Sequence, residues 1–286
     1  DGDPENRGSV PLTDENVDRL KEYMAAFNQP ISTIKLDQGE YANTGFTQWG
    51  ASGLAVAWAE ENTRESIFQA FKRKETFATT GSRIAVRFFG GYDLSSIDLN
   101  SDSLVSQAYQ KGVTMGGDLL NDNNKTPEFI VWAQRDKNGA PLQRIQIIKG
   151  WMDSNSGRPS EYVYDVACSD GLSVDPLTNR CPDNGARVNI SDCSISKNVG
   201  STELKTIWKD PDFNPLDKSF YYVRVLENPT CRWSTWDAIK RGFKPREDLH
   251  ETIQERAWSS PIWYSPNETD VDVIPLGGTI QLRDFN

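Results

Sequence analysis

The chain has 286 residues, a formal net charge of −10, and nine Trp, nine Tyr and twelve Phe. That is enough chain and apolar bulk for one large or two ordinary domains. The acidic balance argues against a nucleic-acid partner, which needs a basic patch, and no run of about twenty apolar residues is present to span a bilayer.

Asp1-Gly2-Asp3-Pro4 opens the chain without a Met and reads as the interior of a longer protein or a processed product. Residues 1–12 are polar and rich in Gly and Pro, a surface-loop composition. Thr13 is placed to cap a helix to Phe27, with Val17, Leu20, Met24 and Phe27 at helical spacing. Residues 30–49 have no clear period. Tyr41, Phe46 and Trp49 either line a cleft or cover a core edge.

Leu54 to Trp58 is a short apolar run suited to a strand buried on both faces. Asn62 and Glu65 have the spacing of a capping box. Ile67, Phe68 and Phe71 then share one helical face, while Arg64, Lys72, Arg73 and Lys74 take the other. Thr79-Thr80-Gly81 is read as the break after this helix. From Arg83 the pattern changes to short strands: 84–89, 128–134, 142–149, 161–167, 203–208, 219–227 and 257–264. Alternating apolar residues such as Phe129, Val131 and Ala133, or Tyr221, Val223 and Val225, predict an antiparallel β-sandwich. Asp136-Lys137-Asn138-Gly139 is a turn between two strands. Residues 169–200 read as a long loop excursion, and residues 266–286 as a surface tail with a weak strand at Val271, Val273 and Ile274.

Cys168, Cys181, Cys193 and Cys231 lack the tight pair spacing of a zinc site. Two disulfides are the better reading, with all three pairings open, and they predict a periplasmic or extracellular protein. The single histidine, His250, sits in a charged stretch and reads as a surface residue. One imidazole cannot build a His-rich metal site or serve a Ser–His–Asp triad that lacks a Gly-x-Ser-x-Gly elbow. Gly90-Gly91 and Gly116-Gly117 read as turn glycines, since no Lys-Ser/Thr follows them. Asp153, Ser154, Asn155, Ser156 and Glu161 offer oxygens for calcium, without EF-hand spacing. Asn189-Ile190-Ser191 and Asn267-Glu268-Thr269 match the glycosylation acceptor pattern. Trp233 and Trp236, near Cys231, either pack the core or stack on a sugar.

The segments Trp58-Ala59-Glu60-Glu61, Thr63-Arg64-Glu65 and Phe77-Ala78-Thr79-Thr80-Gly81-Ser82-Arg83-Ile84 resemble the end of the hydrolase domain in secreted proteins of the polymerase-and-histidinol-phosphatase (PHP) superfamily. Residues 220–225, 257–263, 165–170 and 228–233 narrow the resemblance to a PHP-like bacterial family of unknown function related to carbaryl-hydrolase-like enzymes. It spans roughly residues 50–265. The resemblance implies an α+β chain: residues 1–82 as the closing βα segment of a PHP-like α/β barrel, and residues 83–286 as an accessory β-sandwich. Such enzymes hold divalent metals with His-x-His and Asp-x-His ligands. In the family pattern those ligands lie upstream of the matched segments, and this chain has a single histidine, so it is expected to hold no metal or catalytic residue itself. Its expected partner is a barrel segment of the same protein, which carries the metal. The chain would supply scaffold and cleft walls for hydrolysis of a small ester, phosphoester or related substrate. Glu60 and Glu61 at the strand end, flanked by Arg64 and Arg83, are the cleft candidates. Helix-terminal carboxylates and ordinary salt bridges are the plainer use of these four. The alternative is a non-catalytic β-sandwich that binds a glycan or a protein.

Overall fold

The computed structural model describes residues 4–266 except 6, 31, 44 and 51. The chain is mixed α and β, built mostly of antiparallel sheets with few helices. The strands that matter here are β1 (Leu54–Ala57), β2 (Thr76–Thr79), β3 (Ala85–Gly91), β4 (Gly112–Thr114), β5 (Asp118–Leu120), β6 (Glu128–Gln134), β7 (Leu142–Met152), β8 (Pro159–Cys168), β9 (Glu203–Lys209), β10 (Lys218–Glu227), β11 (Arg256–Ser259) and β12 (Ile262–Ser265). The helices are α1 (Asp14–Ala26), α2 (Arg64–Lys72), α3 (Leu104–Lys111) and α4 (Trp233–Lys240). An eight-stranded sheet runs β8-β7-β10-β11-β2-β1, with β12 beside β10 and β5 beside β12. A four-stranded sheet runs β9-β6-β3-β4. Pairing is antiparallel except between β12 and β5.

The period of two in β6 and β10 makes the core. Phe129, Val131 and Ala133 pack in one cluster with Tyr221, Val223 and Val225. Phe129 is its keystone: its ring lies 4.4 Å from Tyr221, 5.6 Å from Phe88 and 5.9 Å from Trp208. The intervening residue Ile130 points to the other face, where Phe89, Leu94, Leu104 and Ala108 form a second cluster under α3. So one sheet is covered on both sides, and each large apolar side chain removed from water contributes about 1.5–3 kcal/mol.

A charged group also lies inside. Lys149 Nζ is 2.7 Å from Asp210 Oδ2, with both side chains at 3% exposure or less. The ammonium also donates to the Asp212 carbonyl at 2.7 Å. Tyr221 donates its hydroxyl to Asp210, and Tyr164 donates to Asp212, each at 2.7 Å. Burial first, and then these carboxylates, push both phenols well above the ordinary tyrosine range.

Several local expectations change. The helix ends at Lys72, well before Thr79-Thr80-Gly81, because Lys74 turns back with φ 56° and residues 76–79 become β2. Thr63 rather than Asn62 caps α2: its hydroxyl accepts from the Ser66 amide, while the Ser66 hydroxyl accepts from the Glu61 amide. β1 is not buried on both faces. Among the described residues it is the end strand of its sheet and pairs only with β2, and Leu54 and Ala55 are exposed. The sheet also runs across the expected boundary at 82/83, since β2 pairs with β11. Strand 257–264 splits at Ser260-Pro261. Gly90 and Gly91 end β3 rather than form a turn, and a Cβ on Gly90 would meet the Phe129 ring at 3.1 Å.

The segment before α1 is not a free loop. Val10 and Ser9 are buried, Ser9 donates to Asp237 of α4 at 3.0 Å, and Arg246 donates to the Gly8 carbonyl at 2.7 Å. In α1 only Asn16 and Leu20 are buried, and Phe27 is 62% exposed. The possible final strand at 271–274 and the acceptor pattern at Asn267 lie outside the described residues. The disulfides are Cys168–Cys181 and Cys193–Cys231, which tie the 169–200 excursion to β8 and to the start of α4. Such bonds persist in an oxidising compartment.

Replacing Asp210 by Ala strands the buried Lys149 ammonium. The expected loss is about 3–5 kcal/mol, read by urea unfolding. A loss below about 1 kcal/mol, the range of an exposed pair, would show that Lys149 is not buried as described.

Candidate functional site

Glu60, Glu61 and Arg64 stand together where β1 gives way to α2, and all three are exposed. The strand end beneath them is fixed by a buried hub. Trp58 donates its indole N–H to the Val86 carbonyl at 2.8 Å. The Arg87 guanidinium lies 3.5 Å over the Trp58 ring. Glu75, 2% exposed, takes Arg73 at 3.3 Å and Arg87 at 3.6 Å as ion partners and accepts from Thr114 and Tyr109. Burial, and then the Glu75 carboxylate, push the Tyr109 phenol up to about 12. Glu75, Arg87 and Tyr109 had no sequence signal, because they converge from β3, α3 and the turn before β2. The Trp58 ring was the visible part of the hub.

Arg83 does not join this group. The antiparallel register Leu54↔Thr79 and Ala57↔Thr76 places Glu60 and Glu61 beyond one end of the β1–β2 ribbon. Arg83 follows the other end, where its amide donates to Asp136 at 2.7 Å. Expecting Arg64 and Arg83 to flank the same turns assumed that the chain continued in one direction after α2, and it doubles back. Beside the turn, Phe68 and Phe71 of α2 are 54% and 53% exposed, and Leu54, at the far end of the ribbon, is 38% exposed.

The other candidates are largely self-contained. Asp153 Oδ1 accepts from the Asn155 and Ser156 amides and the Ser156 hydroxyl, which closes the loop on itself and holds the Asp153 carboxyl low. Trp233 lies between Arg7 and Arg232 and donates to the Trp49 carbonyl at 2.9 Å, so it packs rather than presents a face. Trp49 is 60% exposed, Tyr41 is buried against Arg246, and the Phe46 side chain lies outside the described residues. His250 is exposed and lines an open pocket of about 650 Å³ with Arg144, Arg187 and Arg256. Two of those cations are already paired, Arg144 with Asp165 and Arg187 with Asp183. Among the described residues no three His, Cys, Asp or Glu side chains are grouped to hold a metal.

Residues 13–266 match the family described as a protein of unknown function, DUF3604. The chain belongs to that family. No curated protein and no solved structure matches it significantly. The family match covers α1, both sheets and the β1–α2 turn alike.

One buried acid stands apart. Glu227 ends β10 at 1% exposure, and burial pushes its carboxyl up to about 7, with the Glu255 carboxylate adding to the rise. A carboxyl with a folded pKa above its ordinary 4.5 binds its proton more tightly in the folded state. Its contribution to stability is therefore fully present below that value and is lost as pH rises through about 7. In EDTA, the wild type is expected to lose about 3 kcal/mol relative to Glu227→Gln over this window. Parallel pH profiles of the two proteins by urea unfolding would contradict it.

Proposed function

We propose that this chain is the non-catalytic part of an exported metal-dependent hydrolase, and that a catalytic barrel of the same protein packs on its β1–α2 face. The observation that carries this is the exposure of Phe68 and Phe71, which share one face of α2 beside the β1–α2 turn. Monomeric proteins rarely leave such side chains grouped in water, and an end strand is a natural pairing edge. The Trp58–Glu61 and Thr63–Glu65 segments, which resemble the end of a PHP hydrolase domain, form this same corner. The barrel would bring the divalent metal and its His ligands, and a metal-activated water would attack an ester, phosphoester or related bond. Glu60, Glu61 and Arg64 stand at the rim, in position to act as cleft wall. Arg64 is the group suited to an anionic substrate. Arg83, at the far end of the ribbon, belongs to the scaffold.

The protein carrying its barrel should hydrolyse nitrophenyl ester or phosphodiester probes, lose that activity in EDTA and regain it with added divalent metal. This chain alone should show none. Turnover by this chain alone that survives His250→Ala would contradict the proposal. The double substitution Phe68→Glu/Phe71→Glu should change the stability of this chain by no more than about 0.5 kcal/mol, as for exposed sites. It should weaken binding to a separately produced barrel, and unchanged binding would show that the barrel lies elsewhere.

A further inference from the structure

A second pocket, of about 410 Å³, opens between the turn after β6, the end of β10, the start of β11 and α4. Ser82, Asn138, Glu227, Trp236 and Glu255 line it, and the Cys193–Cys231 bridge forms part of its wall. Its chemistry is unusual for a protein interior. Among the described residues, Glu227 Oε1 and Glu255 Oε2 are buried with no hydrogen-bond partner, while the Ser82 hydroxyl and the Ala140 backbone act on the Glu227 carboxyl from the same wall. Buried carboxylate oxygens are nearly always paired, because desolvating one without a partner costs several kcal/mol. Among the described residues no guanidinium or ammonium lines the pocket to compensate them. Asp136 is on the same wall, but its oxygens are taken by the Arg83 and Asn138 amides. Space is also kept open: a Cβ on Gly139 would come to 2.8 Å from Glu227 Oε1.

From these unpartnered oxygens we infer a divalent-cation site, with Glu227 and Glu255 as charged ligands and the Ser82 hydroxyl as a neutral one. Waters and the Asn138 amide would complete the shell. An all-oxygen set on several loops, with room for water, suits Ca²⁺ better than Mg²⁺, which demands near-ideal octahedral geometry. Two carboxylates with mostly neutral ligands fit the weak class of extracellular calcium modules, with Kd of about 10⁻⁴–10⁻³ M. The cation would join four separate pieces of the fold: the turn before β3, the β6–β7 turn, the end of β10 and the lead into β11. The site stands apart from the β1–α2 face and does not depend on the hydrolase reading.

Terbium luminescence tests it, because Tb³⁺ takes oxygen sites of the calcium kind and Trp236 is on the pocket wall as a sensitiser. The full chain should show saturable Tb³⁺ emission on excitation of tryptophan, and Ca²⁺ should displace it. Glu227→Gln and Glu255→Gln, with native circular dichroism, should each weaken Ca²⁺ binding about tenfold or more. Trp236→Phe should dim the emission while calorimetric Ca²⁺ binding persists. Absence of saturable binding, or binding within about twofold of wild type in both Gln variants, would overturn the site.

Discussion

The structure depends on the contact between its two large sheets, and that contact narrows to Phe129. Its ring meets Tyr221 of the facing sheet and Phe88 of its own. Tyr221 is also the outer end of the buried Lys149–Asp210 group, so the apolar core and the internal charges share one residue. That arrangement fixes the register of β10, and β10 fixes the rest. Its two edges carry β7 on one side and β11 and β12 on the other. Through β11 it carries β2, β1 and the α2 corner. At its far end it carries Glu227 and the acidic pocket.

The strands were legible because their signal is local. Phe129, Val131 and Ala133 alternate with polar or outer-face residues, and the expected strand 128–134 is the one that forms. The same holds near 203–208 and 219–227. The capping signal at the start of α2 was also in the sequence, one residue further on than Asn62. The two disulfides could be anticipated from composition and context, whereas their pairing depends on where the excursion folds back.

What could not be read was long-range. An apolar run such as Leu54–Trp58 has the same composition whether it is central or terminal in a sheet, and among the described residues it is terminal here. Arg83 looked close to Glu60 and Glu61 because the reversal at Lys74 has no strong residue signature; a Lys with positive φ is uncommon. The Glu75 hub and the Glu227–Glu255 pair join residues from distant parts of the chain, and single acidic residues carry no mark of burial. In both places the fold spends stability on charge, which is usual where a position serves more than packing.

The central claim is that the β1–α2 face is an interface. Hydrogen exchange followed by mass spectrometry measures it directly, on this chain alone and on this chain together with the proposed barrel. The account predicts that residues 54–72 exchange much more slowly when the barrel is present, while β6 and β10 are unchanged. Equal exchange of residues 54–72 in the two samples would contradict it.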